Sequence, residues 1–279
     1  MSIITISRGS YSRGKEVAEK LAQRLGYGCV SRDILLEASD EFNIPEIKLV
    51  RALHDAPQVI ERFNNGKKRF VSFIRSSLLQ HVKKDNIVYH GLAGHYFLGN
   101  IPGILKVRIN ADINDRVSEE MKREDISHDR ALYILKKDDD ERRKWGLQLY
   151  GTDTWDSRLY DVVLNIKTIT VDDAIDILVN LVKKPAFQTT LESMEVINDL
   201  ALASSVEAAL VKIAPTVQVT CNSGTVYIAR DKESGSPGNE LAAVIKEVAM
   251  GTDGVREVVF QFNPAQEQNH HVNPFHNIG

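Results

Sequence analysis

Near the N-terminus the chain carries Gly9-Ser10-Tyr11-Ser12-Arg13-Gly14-Lys15-Glu16 between a short apolar run and an amphipathic one. In a phosphate-binding loop, glycines let backbone N–H groups fold around the phosphates and the following helix N-terminus adds its positive dipole end. A lysine reaches the outer phosphates, and a Ser or Thr hydroxyl next to it holds Mg²⁺. Gly9, Gly14 and Lys15 supply the first three, with Arg13 inside the loop, while Glu16 stands where the hydroxyl is required. That carboxylate could bind Mg²⁺ through water, could repel phosphate, or could face solvent in the first helical turn, where acidic side chains are favourable. Ser10 and Ser12 are the hydroxyls that could replace the lost one as metal ligands. The ligands implied are ATP and Mg²⁺; the alternative is a structural glycine turn that binds nothing.

A second cluster, "DDDERRKW" at residues 138–145, concentrates Asp139, Arg142, Arg143 and Lys144. Charge developing on a transferred phosphoryl group requires cationic clamps that close over it, which an arginine-rich segment after a helix could provide. A solvated helix face laced with i,i+4 pairs is the competing reading. Arg32, Arg51, Arg62, Arg69 and Arg75 could form an acceptor-phosphate site, whereas His90 and His95, flanking "GLAG", read as structural.

These residues need a framework. "SIITIS" is a β-branched run ending at the glycine loop, and Val17, Ala18, Leu21, Ala22 and Leu25 then recur at helical spacing. "RDILLEASDEF" predicts a second helix, and residues 40–85 a charged helical insertion interrupted by Pro45, Pro57 and Asn64-Asn65-Gly66. "NIVYHGLAG" and "ILKVRINA" predict strands, followed by helices opened by Asp112 and Ser127, the strand "YDVVLNI" and a helix capped by Thr170. Strands alternating with helices over residues 1–183 imply a parallel sheet covered on both faces. Residues 184–190 read as a linker, and 191–262 as a separate α-β-β-α-β unit. The tail at 263–279 lacks periodicity and reads as disordered.

With 43% hydrophobic and 26% charged residues, the 279-residue chain has an ordinary globular composition. No apolar run is long enough for an integral membrane segment, and no basic-then-apolar leader is visible, so a cytoplasmic protein is expected. Cys29 and Cys221 show no metal or disulfide spacing and are expected to be buried or half-buried. Residues 191–279 hold 5 Lys and Arg against 11 Asp and Glu, while residues 1–190 are mildly basic at 30 against 27. That balance suits a small anionic substrate and excludes nucleic acid as a partner of the C-terminal part.

The pieces "ITISRGSYSRGKEVAEKLAQRLGY", "SRDILLEAS", "IVYHGLAG", "VRINADINDRV", "DDDERRKW" and "LYDVVLNI" together resemble the cytidylate kinase-like family of P-loop nucleoside monophosphate kinases. The resemblance implies a core sheet, an acceptor-binding helical insertion at about 40–85 and a lid near 138–150. It places Gly9 to Lys15 on ATP phosphates and Arg32, Asp33 and Gly91 beside the acceptor nucleotide. Asp139 and Arg142 match the lid D-x-x-R, and Lys15, Arg142 and Arg143 would act in catalysis. Lid closure would exclude water, so ATP transfers to a nucleotide such as CMP rather than hydrolysing. The chain departs from the family at Glu16 and at Gly91-Leu92-Ala93, where an arginine is lost. Residues 191–262, through "VQVTCNSGTVYIA" and "GTDGVREVVFQF", resemble a BON-type domain, which implies a ligand, lipid or protein partner. A nucleotide-binding sensor with little transfer, a tethering adaptor and a homo-oligomer remain open alternatives at this level.

Overall fold

The computed structural model describes residues 1–31, 33–41, 64–91, 93–99, 101–230 and 239–262. It divides into two compact units, Met1–Ala201 and Leu202–Gly279.

The first unit is built on five parallel strands: β1 (Ile3–Arg8), β2 (Gly28–Val30), β3 (Ile87–His90), β4 (Ile104–Ala111) and β5 (Val162–Ile166). Their order is β2-β3-β1-β4-β5. β1 therefore lies at the centre, with Ile3 opposite both Ile87 and Ile104. Burial on both faces explains its continuous apolar run: Ile3, Ile4 and Ile6 are inaccessible to solvent. α1 (Gly14–Leu25) and α7 (Val171–Val182) cover one face, where Val17, Leu21, Ile175 and Leu178 pack on Ile4, Val107 and Leu164. α1 stops at Gly26, whose φ of 70° only glycine adopts readily.

α2 (Asp33–Glu41), α3 (Asn64–Val82) and the one-turn α4 (Gly94–Phe97) follow in the first half; α5 (Ile113–Glu124) and α6 (His128–Tyr150) join β4 to β5. The expected caps form. Asp112 accepts from the Asn114 N–H, Ser127 from the Arg130 N–H, and Thr170 and Asp173 make a reciprocal capping box. Much of the expected helical insertion, residues 42–63, lies outside the described residues.

Two expectations meet a different local geometry. The charged block at 138–145 does not follow a helix but lies inside α6, because no glycine, proline or capping residue interrupts that run before Gly151. Cys29 is exposed rather than buried, since β2 is an edge strand; Cys221 is half-buried and both thiols are free. The segment 184–190 is tied down: the Thr189 N–H donates to Met1 O at 2.9 Å and its hydroxyl to Asp85 at 2.6 Å.

In the second unit, the C-terminal half of α8 (Leu191–Leu210) and α9 (Asn239–Met250) pack on β6 (Gln218–Asn222), β7 (Thr225–Arg230) and β8 (Glu257–Phe262). β6 and β7 are antiparallel and β7 and β8 parallel, giving the α-β-β-α-β order expected. Val206, Leu210, Val226, Ile228, Ile245 and Val258 form its core. Among the described residues no helix is long and apolar enough to cross a membrane.

Candidate active site

In open parallel sheets ligands bind beyond the C-terminal strand ends, where connections diverge from a central strand. β1 ends there at Arg8, and the chain enters the glycine loop. The loop curls because Tyr11 and Arg13 take φ values of 55° and 60° before α1 begins at Gly14. Such alternation turns backbone N–H groups toward a common concavity. Gly14 is required by close approach: a Cβ there would lie 2.6 Å from the Arg8 Cβ. The Ser12 hydroxyl is buried and donates to Gly9 O at 3.0 Å, bracing the loop from within.

α5 and α6 close over this loop through charge. The Arg116 Nε donates to Ser10 O at 2.7 Å, while its two terminal nitrogens hold Asp139 at 2.8 and 2.9 Å. Such a two-pronged guanidinium–carboxylate pair fixes geometry as well as charge. Ser10 Oγ accepts from Arg142 at 2.7 Å and donates to Asp138 at 3.0 Å. Burial lowers the Arg142 pKa against the opposing pull of Asp138 and Asp139. Its Nη1 is buried without a hydrogen-bond partner.

Two spaces adjoin the glycine loop. The loop cavity, of about 580 Å³, is lined by Ser10, Arg13, Lys15 and Glu16 on one side and by Glu120 and Asp138 on the other. Its charges are largely paired. Lys15 lies 3.6 Å from Glu19, and Glu16 is 3.0 Å from Lys20 and 3.5 Å from Arg13. Tyr11, also at this cavity, has its pKa raised to about 12 by burial and by its hydrogen bond to Glu120.

The second space is a narrow cleft with room for about 20 Å³, one water molecule, between Arg8, His95, Arg108, Arg142, Trp145 and Thr154. Arg8 and Arg142 line both spaces. Burial lowers the Arg8 pKa, and its Nε has no partner. Arg108 is anchored to Thr154 O at 2.9 Å and to Asn110 at 3.0 Å. His95 is 5% exposed, wedged between the rings of Tyr96 and Tyr160 at 4.1 and 5.0 Å. Neither of its ring nitrogens has a hydrogen-bond partner, a cost of about 1–3 kcal/mol for each buried group left unpaired. Burial, reinforced by Arg108, pushes its pKa down to about 3, so the ring is neutral.

The structure thus brings Gly9, Ser10, Ser12, Arg13, Gly14, Lys15, Glu16, Asp139 and Arg142 to one region around the loop. It places Arg143 elsewhere: that side chain grips Asp153 at 2.6 to 3.2 Å and lies over Trp155, its guanidinium carbon 4.9 Å from the ring centroid. Lys15 Nζ points to Glu19 and is largely exposed. Gly91 directly follows β3, with the Tyr89 hydroxyl 2.7 Å from where a Cβ would be. Asp33 opens α2, and Arg32 and Leu92 lie outside the described residues. Arg8, Arg108, Arg116 and His95 were not singled out as site residues by motif reading. For Arg8 the available signal was position, the last strand residue before the loop; for the others the signal is tertiary.

Comparison with known proteins bears on the family and the fold. The model of the cytidylate kinase-like family matches residues 3–168. A cytidylate kinase of Sulfolobus acidocaldarius is 23% identical over 189 residues, covering 67% of this chain and 98% of the relative. A cytidylate kinase of Pyrococcus horikoshii is 24% identical over 168 residues, 58% of this chain and 79% of the relative. Among solved structures, an uncharacterized protein from Eubacterium ventriosum shares the fold, with a TM-score of 0.51 and 21% identity over 66% of this chain and 99% of that one. With the family model matching residues 3–168, the stretch that forms the five-stranded parallel sheet and the glycine loop, the chain belongs to the cytidylate kinase-like family and is a nucleoside monophosphate kinase-like phosphotransferase.

Proposed function

We propose that the protein transfers a phosphoryl group from ATP to a nucleoside monophosphate, CMP being the first candidate. The observation that carries this is the sharing of Arg8 and Arg142 between the loop cavity and the adjoining cleft. A group passing from one space to the other would stay in contact with two cations, as charge developing during transfer requires. The loop amides and Lys15 would bind the donor phosphates, which requires Lys15 Nζ to leave Glu19. Arg8, Arg108 and Arg142 would face the acceptor. No base is needed, because an acceptor phosphate is already ionised.

Carboxylate and hydroxyl oxygens are hard ligands suited to Mg²⁺, which enters with ATP and neutralises phosphate charge there. Asp138 and Ser10, 3.0 Å apart at the loop rim, fit that role. Ser12 fits less well, its hydroxyl being spent on Gly9 O. Glu16, tied to Lys20 and Arg13, would act only through water. Arg143 would act indirectly, holding Asp153 and Trp155 at the cleft mouth. Asp33 and Arg32 would belong to the acceptor side, and Gly91 would let acceptor and backbone approach.

One observation favours a second reading, a nucleotide-binding sensor with little transfer: Lys15 is exposed and engaged by Glu19 rather than turned to the loop. In that reading the C-terminal unit, as a BON-like module, would meet a ligand, lipid or protein partner. ADP formation from Mg·ATP against a panel of ribo- and deoxynucleoside monophosphates separates the two. Acceptor-dependent turnover, abolished by Lys15→Ala and Arg142→Ala, is the expected result. ATP binding with no turnover on any acceptor would favour the sensor.

A further inference from the structure

The cleft beside the loop has a composition that the donor side does not explain. Three arginines reach it, Arg8, Arg108 and Arg142, against one lining carboxylate, Asp139, which Arg116 already holds from the far side. Arg8 Nε and Arg142 Nη1 are buried without a hydrogen bond, Arg142 Nη1 having only Asp139 at 3.6 Å, and both ring nitrogens of His95 are likewise unbonded. His95 is more than nine-tenths buried and fixed between Tyr96 and Tyr160, so it cannot turn outward to find water. The free space is that of one oxygen atom.

We infer that this cleft is a one-oxygen hole for an anionic oxygen of the phosphoryl acceptor, in which the His95 imidazole donates an N–H beside the guanidinium groups of Arg8, Arg108 and Arg142. The inference rests on the transferase reading and adds to it a residue that neither the glycine loop nor the arginine-rich block marks. Three guanidinium groups against one carboxylate, with buried N–H donors left over, select an oxyanion over a hydroxyl, which places a phosphate monoester ahead of a sugar alcohol as acceptor. A neutral imidazole is suited to the fourth position: it adds a hydrogen bond without adding a further positive charge to three arginines that already repel one another. The cleft mouth is formed by α6 through Arg142 and Trp145, so movement of that helix would admit the rest of the acceptor while the oxygen seats on the β1, β4 and α4 residues behind it.

The test uses the full chain with ¹⁵N-labelled histidine, the His95 ring signals being assigned by their loss in His95→Gln. Inorganic phosphate and CMP are titrated separately, so that free phosphate and a nucleotide phosphate are distinguished. A saturable shift of the His95 ring signals with both is expected. In kinetics, His95→Ala is expected to raise the acceptor KM roughly 10- to 50-fold, as loss of a hydrogen bond to a charged group does, with the ATP KM within about twofold. His95→Gln, which keeps an N–H donor, is expected to recover most of that loss. No shift with either titrant would mean that the hole holds ordered water alone, and would overturn the inference. So would an acceptor KM that is unchanged in His95→Ala, or an equal rise in both KM values. If His95→Ala fails to fold, the glutamine variant and the titrations still decide. Wild-type protein without turnover on any acceptor would overturn the transferase reading, and the phosphate titration would still report on the hole.

Discussion

The two spaces that share Arg8 and Arg142 are built on opposite plans. In the loop cavity most charges have a neighbour of opposite sign: Lys15 with Glu19, Glu16 with Lys20, and Arg123 with Glu124 at 3.2 Å. In the cleft four buried nitrogens have no hydrogen bond: both ring nitrogens of His95, Arg8 Nε and Arg142 Nη1. A charged ligand entering the first must displace existing pairs, at little cost because they are exposed. A ligand entering the second relieves groups that have no partner, so its contribution is set in advance by packing. On the proposed reading, the difference would give donor exchange to the adaptable side and acceptor discrimination to the rigid one.

Arg142 belongs to both sides, and its removal is the strongest way to break the contrast. Arg142→Ala is expected to lower kcat roughly 10³-fold, the scale of a lost transition-state cation, read as ADP formation on the best acceptor. A loss below tenfold would remove Arg142 from the transfer path. Next in size is Arg116→Ala, which leaves Asp139 with only Arg142 at 3.6 Å and Ser10 O without its donor. Breaking a nearly buried ion pair on one side costs about 3 kcal/mol or more, measurable as a shift in the urea midpoint. An unchanged midpoint would mean that α6 does not depend on this pair to seat on the loop.

The rigidity of the cleft also makes a pH prediction. The unfolded chain binds a proton at His95 from about pH 6.5 downward, whereas the folded chain resists it until about pH 3. Between those values the unfolded state holds more protons, so the His95 contribution is intact above pH 6.5 and is lost as pH falls. The slope attributable to this site approaches about 1.4 kcal/mol per pH unit. Urea midpoints from pH 7 to pH 4, compared between wild type and His95→Gln, check it; parallel curves would show the ring to be solvated. The smallest effect is expected at Glu16. Glu16→Ser removes two exposed ion pairs, worth less than about 1 kcal/mol in total, and should change kcat by no more than a few-fold if Asp138 and Ser10 serve the metal. A large gain in rate would place the metal hydroxyl at position 16 instead.

Much of the frame was legible because local rules set it. Ile3 to Ile6 read as a β-branched strand, Asp112, Ser127 and Thr170 mark helix starts through short-range hydrogen bonds, and Gly9 to Lys15 announce the loop. Arg143 and Arg142 look alike in sequence, yet one step around the helix sends the first to Asp153 and Trp155 and the second to Ser10. Composition likewise could not tell that Cys29 sits on an edge strand, because edge position depends on strand order.

By itself the sequence determined the alternation of strands and helices, the phosphate loop and the α-β-β-α-β order of the second unit, all encoded within a few residues of where they act. Only the tertiary structure decided which charges are paired and which are left waiting. Arg116 meets Asp139 from a neighbouring helix, and Arg8, His95, Arg108 and Arg142 converge from four separate elements. Burial and long-range proximity, which set the strength of a charge and the cost of an unmade hydrogen bond, exist only once the chain has closed on itself.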